Sequence, residues 1–291
     1  MPNSYEWGYR AGERKAWLGI LSNILLFLLK FFAGIFGKSQ AMIADAFHTA
    51  SDALTSIGIL VGFKIAKKPA DEHHPFGHGR AESISAKIVS IILILIGLGI
   101  AYDSVKILLS AEVRNPGIIT IIAALISILV KEITYRQVIS TAKKIKSTSL
   151  MADAWHHRSD VFSSVAALIG IIGAKLGKSF MDPLAGIIVA GFIIKIGVET
   201  FHAAYDELMD AAPSEEFRKQ IETITGSIQD VVTIKKIMSR KTGIEFFIEI
   251  TIGVDGGKTV EEGHVVTDVI RKKIFDAMPN VRDIIVHVEP A

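Results

Sequence analysis

The sequence predicts an α-helical membrane protein with six transmembrane helices, followed by a C-terminal cytosolic α+β domain. Three observations support this prediction. Half of the 291 residues are hydrophobic and only 21% are charged, which is too apolar for an ordinary soluble protein of this length. The apolar residues are concentrated in six stretches within residues 1–210. Residues 211–291 instead have the alternating and helical patterns of a small soluble domain.

The composition also narrows the partners and the chemistry. A formal net charge of +2, without a basic tract that contains aromatic residues, argues against nucleic acid as a partner. The sequence contains no cysteine, which excludes disulfides and thiolate metal sites and disfavours soft ions such as Cu(I). The polar N-terminus has no small-residue cleavage site, so we expect the first apolar stretch to be retained.

Each of the six apolar stretches approaches the roughly 20 residues that a helix needs to cross a bilayer. The second and fifth stretches contain ionisable residues and would score poorly on hydropathy alone, so we expect the other helices to shield them from lipid. Lys and Arg are enriched in the loops on one side, and the positive-inside rule then places both termini in the cytoplasm. The expected location is the inner (plasma) membrane of a prokaryotic-type cell. The predicted spans are residues 17–37, 41–66, 85–109, 116–138, 149–175 and 182–206.

The C-terminal residues predict the element order α-β-β-α-β, which is ferredoxin-like. A serine N-cap and early acidic residues open the first helix, and alternating residues predict a hairpin that turns at 241–243. The helices are expected on one face of a mixed sheet. Because about 80 residues is small for a domain, pairing with a second copy would help to stabilise it. The predicted elements are helices 214–228 and 259–278 and strands 231–240, 244–255 and 282–289.

Two segments, in the second and fifth spans, are near copies of each other. Residues 44–56 (ADAFHTASDALTS) and 152–164 (ADAWHHRSDVFSS) both contain Asp-x-x-His-x-x-x-Asp. Steps of three and four residues place the three side chains on one helical face over about two turns. An ionisable residue inside a membrane costs about 2.5–3.5 kcal/mol on insertion scales, so the repetition indicates a functional site. The six residues are Asp45, His48, Asp52, Asp153, His156 and Asp160.

Four of these residues predict a metal site. Two His-x-x-x-Asp pairs supply two nitrogen and two oxygen ligands, the tetrahedral arrangement that suits zinc. Hydrogen bonding between helices is the simpler explanation for buried polar residues, but it does not require the duplicated spacing. For Asp45 and Asp153 the alternatives are partners that orient the histidines, proton relays, or residues at a helix start. The predicted ligands are His48, Asp52, His156 and Asp160.

With these motifs on the second and fifth of six spans and a small α+β domain behind them, the chain resembles the cation diffusion facilitators over nearly its whole length. Residues 69–83 (PADEHHPFGHGRAES) also resemble the loop that follows the second span in that family. The resemblance implies a homodimeric transporter, not an enzyme, that exports divalent metal ions from the cytoplasm in exchange for protons. Some family members have an aspartate at the position of His48 in the second span. In having a histidine there, this chain resembles the members that favour zinc. Fe²⁺, Co²⁺, Cd²⁺ and Mn²⁺ are the alternatives.

The ligand chemistry agrees with proton exchange. Histidine must be neutral to bind a cation and titrates near physiological pH, so metal and protons compete for the site. Alternating access about a site at the bilayer midplane would then carry metal outward and protons inward. Zn²⁺ or another divalent ion is expected as substrate and regulatory ligand, and no resident cofactor is expected.

The resemblance also implies a loop site and a charge pair. Family positions that match Asp71, His74 and His78 bind a second, weaker ion. The simpler alternative is a polar hairpin that caps the third span. Arg80 matches a basic residue that pairs with an acid at the end of the sixth span, here Asp210, near the dimer interface.

A third metal site is implied in the cytosolic domain. His264, His287 and Glu289 occupy matching positions, and we expect one weaker regulatory site shared across the dimer. Surface-exposed histidines are the alternative. Lys235 and Thr251 replace histidines of well-known members, and a lysine cation opposes a second dication, which argues against a binuclear site.

Other functions are alternatives for a chain with this sequence. A membrane-bound metal sensor or scaffold with little flux would use the same fold, although two intact transport motifs argue against it. A metal-dependent hydrolase inside the membrane is disfavoured, because the sequence has no His-Glu-x-x-His motif and no evident nucleophile or general base.

Overall fold

The structure is a computed structural model of the chain. It describes residues 21–66, 68–110, 115–145, 148–243 and 245–291. Within those ranges, the side chains at 56, 59, 60, 63, 142–145, 148–157 and 159 lie outside the description.

Six helices precede the C-terminal domain in the described part of the chain. Three of them, α3, α4 and α6, contain segments long and apolar enough to cross a membrane, judged by length and composition. The two that hold the repeated motifs, α2 and α5, are not among these three. The helical membrane domain is confirmed, and the six helices are compatible with six spans. They are α1 (described over Leu21–Phe36), α2 (Gln40–Ala66), α3 (Ala81–Leu109), α4 (Ile118–Ile145), α5 (Thr148–Lys175) and α6 (Met181–Leu208).

The described residues form two compact units. The first lies within Met1–Gly58 and Ile88–Thr200, and the second within Ile59–Lys87 and Phe201–Ala291. The second unit therefore contains residues 211–291 of the predicted cytosolic domain. It also contains the adjoining ends of α2, α3 and α6 and the loop between α2 and α3.

Small residues allow close helix packing in the first unit. A Cβ atom on Gly170 of α5 would lie only 2.3 Å from the Cβ of Ala185 on α6, so this approach requires a glycine. The start of α6 also holds the start of α2. Asp182 accepts hydrogen bonds from the Ser39 hydroxyl (2.5 Å) and the Gln40 backbone N–H (2.7 Å). A carboxylate at this position satisfies N–H groups that a helix leaves unpaired and complements the helix dipole.

The second unit contains the predicted α-β-β-α-β domain, which is confirmed. β1 pairs antiparallel with β2, and β2 pairs parallel with β3, giving a mixed three-stranded sheet in the order β1-β2-β3. Alternate β2 residues Ile248, Ile250 and Ile252 are buried against the helices. The elements are α7 (Glu215–Gly226), β1 (Thr233–Thr242), β2 (Glu245–Val254), α8 (Val260–Ala277) and β3 (Val281–Pro290).

Local sequence explains the ends of these elements. The Ser214 side chain accepts a hydrogen bond from the Phe217 N–H and caps α7 as predicted. Thr259 and Glu262 form a reciprocal capping box at the start of α8. The predicted turn at 241–243 begins too early, because Thr242 still pairs with Glu245. Gly243 has φ +62°, a left-handed conformation that glycine adopts without steric cost.

Candidate metal centres

Of the four predicted transport ligands, His48 and Asp160 approach each other in the first unit, and a lysine connects Asp160 to Asp52. Among the described residues, these three ligands do not form a group as tight as a shared ion requires. His48 and Asp52 lie one turn apart on α2, and Asp160 lies on α5. The His48 Nε2 atom is 3.9 Å from Asp160 Oδ1. All three residues are buried, with 6%, 9% and 4% of their surface exposed. The side chains of His156 and Asp153 lie outside the described residues, although both positions belong to helix α5.

His48 has one ring nitrogen whose role is open. Its Nδ1 atom is buried and has no hydrogen-bond partner among the described residues. A buried polar atom without a partner normally costs about 1–3 kcal/mol, so it is usually explained by a further ligand, a water or a functional requirement. Either ring nitrogen of a neutral histidine can ligate a metal ion. Both nitrogens are therefore candidates for the predicted coordination.

A lysine that the sequence analysis missed lies between the two aspartates. Lys131 of α4 places its Nζ atom 2.6 Å from Asp160 Oδ2 and 3.6 Å from Asp52 Oδ2. Its side chain is 1% exposed. The sequence does contain a signal for this residue, because an ionisable residue inside a predicted span, here the fourth, usually has a charged partner or a function. Lys131 lies outside both copies of the repeated motif, so comparing the two copies does not identify it.

Asp45 belongs to a second buried charge cluster. Its Oδ2 atom lies 2.8 Å from Nζ of Lys30 on α1, and its Oδ1 atom accepts hydrogen bonds from Ser163 and Ser164. Lys30 also donates to Thr49 (2.9 Å) and to Ser164 (3.0 Å). These contacts connect α1, α2 and α5. The predicted role of Asp45 as a relay or as a partner of the histidine stays a prediction.

The predicted loop ligands lie together in the second unit. Asp71, His74 and His78 can each offer one ligand atom, all within 4.8 Å of one another. His74 Nδ1 lies 3.1 Å from Asp71 Oδ1, and His78 Nε2 lies 3.4 Å from Asp71 Oδ2. The other ring nitrogen of His78 is 3.2 Å from the Pro69 carbonyl. Donation to that carbonyl would leave Nε2 unprotonated and free to bind a cation.

The backbone holds Asp71 in this position. The amide groups of His73 and His74 donate to Asp71 Oδ1 at 3.0 and 2.7 Å. The pKa of Asp71 lies below its ordinary value, mainly because the His74 amide donates a hydrogen bond to the carboxylate. The imidazoles of His74 and His78 lower this pKa further. The loop therefore presents an ionised carboxylate beside two imidazoles before any ion binds.

The predicted cytosolic ligands are less closely grouped. His287 Nε2 is 3.4 Å from Glu289 Oε1, as expected for alternate residues of strand β3. His264 lies 3.8 Å from Asp268 on its own helix. Among the described residues, His264 does not join His287 and Glu289 in a cluster tight enough to share one ion. A site completed by a second copy of the chain stays a prediction.

Lys235 lies beside the proposed cytosolic site. It is the bulged residue of β1, and its Nζ atom is 3.1 Å from Glu289 Oε2. It also donates to the Pro290 carbonyl at 2.7 Å. A cation this close to Glu289 repels a dication bound there.

The predicted charge pair between Arg80 and Asp210 is present in the second unit. Arg80 Nη2 lies 2.5 Å from Asp210 Oδ1, and Arg240 Nη1 approaches the other oxygen at 3.5 Å. Arg240 also lies over the rings of Phe76 and Phe247. Because Arg80 and Asp210 are both exposed to solvent, their pairing contributes little to stability. Its predicted place near a dimer interface stays a prediction.

The chain combines a helical membrane domain with an α+β domain, and a histidine and carboxylates are buried within the membrane domain. This combination is typical of a membrane protein that binds or transports cations. Comparison with known families agrees. The chain belongs to the cation diffusion facilitator family, since residues 16–209 match the cation efflux transmembrane domain and residues 213–291 match the cation efflux protein cytoplasmic domain. Members are divalent-metal efflux transporters and not enzymes, as the sequence predicted.

Curated relatives align with almost the whole chain. The manganese efflux system protein MneP of Bacillus subtilis is 34% identical, over 96% of both chains. Metal tolerance protein C1 of Arabidopsis thaliana is 35% identical, over 96% of this chain and 63% of that protein. The magnetosome protein MamB of Magnetospirillum gryphiswaldense is 31% identical, over 96% of this chain and 94% of that protein. The family is thus established, and of these three names only that of MneP mentions an ion, manganese.

Proposed function

We propose that this protein is a proton-coupled antiporter that exports divalent transition-metal ions from the cytoplasm by alternating access. The observation that supports this most strongly is the buried approach of His48 on α2 to Asp160 on α5, with Asp52 connected to Asp160 through Lys131. These residues offer two ligand types, imidazole and carboxylate, that suit a borderline metal ion, and they lie within a membrane domain of the cation efflux family. The protein acts as a homodimer in the inner membrane, with both termini in the cytoplasm.

His156 is proposed as the fourth ligand. It precedes Asp160 by four residues on α5, as His48 precedes Asp52 on α2, and this spacing places the two positions of each pair on one face of a helix. The resulting set of two nitrogens and two oxygens favours Zn²⁺, which we keep as the expected substrate. Mn²⁺ is the first competitor, because a relative with 34% identity is named for manganese efflux.

Proton coupling follows from the same ligands. A histidine that binds metal must be unprotonated, and a carboxylate ligand must be ionised. Protons that reach the cluster from the external side would therefore displace the metal there. The protonated cluster would return to the cytoplasmic side and release its protons where they are scarcer.

The loop cluster and the cytosolic histidines are proposed as regulatory sites. Asp71, His74 and His78 form a ready-made group of one carboxylate and two imidazoles on the exposed side of the second unit. His264, His287 and Glu289 are proposed to bind one ion weakly, with ligands from both copies of the chain. Both sites would report cytoplasmic metal without carrying it.

Ion flux into proteoliposomes with an imposed pH gradient tests the proposal. Zn²⁺ and Mn²⁺ flux should follow the gradient in the wild type and disappear in Asp160→Ala. Glu199→Gln is a matched control, because Glu199 is an exposed acid of α6 outside the cluster, and it should retain flux. Gradient-driven flux that persists in Asp160→Ala would contradict the proposed site. Metal binding without flux in the wild type would favour the sensor or scaffold.

A further inference from the structure

The side chain of Lys131 contacts both aspartates of the proposed transport site. We propose that Lys131 is a tethered cation that competes with the transported metal ion for Asp52 and Asp160. Metal binding displaces its ammonium group, and the return of the ammonium group helps to expel the metal. This inference rests on the proposed function of that cluster and adds an internal competitor to it.

The geometry places an ammonium group where a cation is bound. Its 2.6 Å contact with Asp160 Oδ2 is a short, charge-assisted hydrogen bond, and Asp52 Oδ2 is 3.6 Å away. The other oxygen of Asp160 faces His48 at 3.9 Å. Asp160 is therefore shared between Lys131 and a predicted nitrogen ligand. A metal ion bound by both aspartates would lie close to the ammonium group, because Lys131 contacts one oxygen of each carboxylate.

Electrostatics makes the two cations mutually exclusive. Two buried carboxylates close together are unfavourable unless a positive charge compensates them, and Lys131 provides one. A divalent ion in the same place would repel the ammonium group strongly, because the surroundings are buried and screen charge poorly. Lysine suits the task, since its compact charge is carried on a flexible four-carbon stem that can withdraw by changing rotamer.

Lys30, the other buried lysine described in this unit, has the contacts expected of a structural residue. Lys30 pairs with Asp45 and donates to the hydroxyls of Thr49 and Ser164, and none of these is a predicted metal ligand. Both ion pairs of Lys131 described in the structure, by contrast, are with predicted ligands. The two lysines are equally buried at 1% exposure, so Lys30 is a matched control for Lys131.

The experiment compares Zn²⁺ binding and Zn²⁺ transport in the full-length protein. Calorimetric titration with Zn²⁺ isolates the cluster as the binding that is lost in Asp160→Asn. Lys131→Gln removes the competing charge, and we expect Zn²⁺ to bind there about 10- to 100-fold more tightly, the range that one charge-assisted hydrogen bond represents. Transport should show a lower KM together with a lower kcat, because release is slowed. Lys30→Gln should not produce tighter binding.

A purely structural lysine would give a different pattern, since its loss would weaken both binding and flux. Asp160-dependent binding that is unchanged or weaker in Lys131→Gln overturns the tethered cation while leaving the proposed function intact. Absence of any Asp160-dependent Zn²⁺ binding in the wild type contradicts the proposed function and this inference together. If Lys131→Gln does not fold, Lys131→Arg decides. Its bidentate guanidinium should hold the carboxylates more firmly and weaken Zn²⁺ binding about tenfold, and unchanged affinity overturns the proposal.

Discussion

The molecule contains two histidine–aspartate clusters built from the same ligand types in opposite surroundings. The cluster of His48, Asp52 and Asp160 is buried, and the ammonium group of Lys131 compensates part of its charge. The loop cluster is open to solvent, with the side chains of Asp71 and His74 51% and 58% exposed. Backbone N–H groups hold Asp71, and no lysine is among its described contacts.

This difference in surroundings supports the proposal that the buried cluster transports the ion and the loop cluster senses it. In the buried cluster each charge interacts strongly with its neighbours, so binding a dication must change the arrangement of the cations and protons already present. In the loop, water screens the ligands, so we expect the site to gain or lose an ion with little effect on neighbouring charges.

Lys30→Met tests the buried surroundings themselves. It leaves Asp45 buried without its cation, and we expect the free energy of unfolding to fall by about 3–5 kcal/mol. Chemical denaturation in detergent measures the loss. The double variant Lys30→Met/Asp45→Leu should regain part of it, because no unpaired charge remains. A single variant as stable as the wild type would show that this ion pair does not support the fold.

His48→Ala tests the buried ligands. Loss of a metal ligand exceeds the 10- to 100-fold effect typical of an outer partner, so flux should fall at least about 100-fold while folding is retained. The control is Thr55→Ala on the same helix, whose hydroxyl bonds to the Ser51 carbonyl. Its flux should stay within about twofold of the wild type. Normal flux in His48→Ala would remove this histidine from the site.

His78→Ala tests the exposed ligands. Zn²⁺ titration in an Asp160→Asn background, where the buried cluster does not contribute, should show loop affinity lowered at least about tenfold. His73→Ala is the control, because it removes a neighbouring imidazole that is outside the triad. Equal effects of the two substitutions would argue that the loop attracts metal only through its general charge.

Acidification gives the smallest expected effect. The pKa of Asp71 is lowered in the folded protein, so its hydrogen bonds stabilise the loop above the ordinary aspartate pKa. That contribution is lost only as the pH falls through the lower folded value. A carbon-13 NMR titration of the Asp71 carboxyl group should therefore show a midpoint below that of an unstructured aspartate. A midpoint at or above the ordinary value would mean that the backbone does not hold this carboxylate.

The sequence was informative where a pattern is local or repeated. The capped helix at Ser214, the order of the strands and the proximity of Asp71, His74 and His78 all follow from spacings within one segment. The repeat on α2 and α5 likewise predicted that His48 and Asp160 lie near each other, although they are distant in the chain.

Contacts between single residues on different helices were missed. Lys131 is an isolated charge on α4, and nothing in its spacing indicates that it faces Asp52 and Asp160 rather than another helix. The pairing of Lys30 with Asp45 was missed for the same reason. These partners are fixed by how the helices pack, which the hydropathy of each span does not specify.

The central claim is that the buried cluster carries the ion and the loop cluster does not. One substitution, aspartate to asparagine, can be made in both places: Asp160→Asn and Asp71→Asn. We predict that pH-driven Zn²⁺ flux into proteoliposomes is abolished by the first and stays within about twofold of the wild type in the second. Flux that survives Asp160→Asn but is lost in Asp71→Asn would contradict this account.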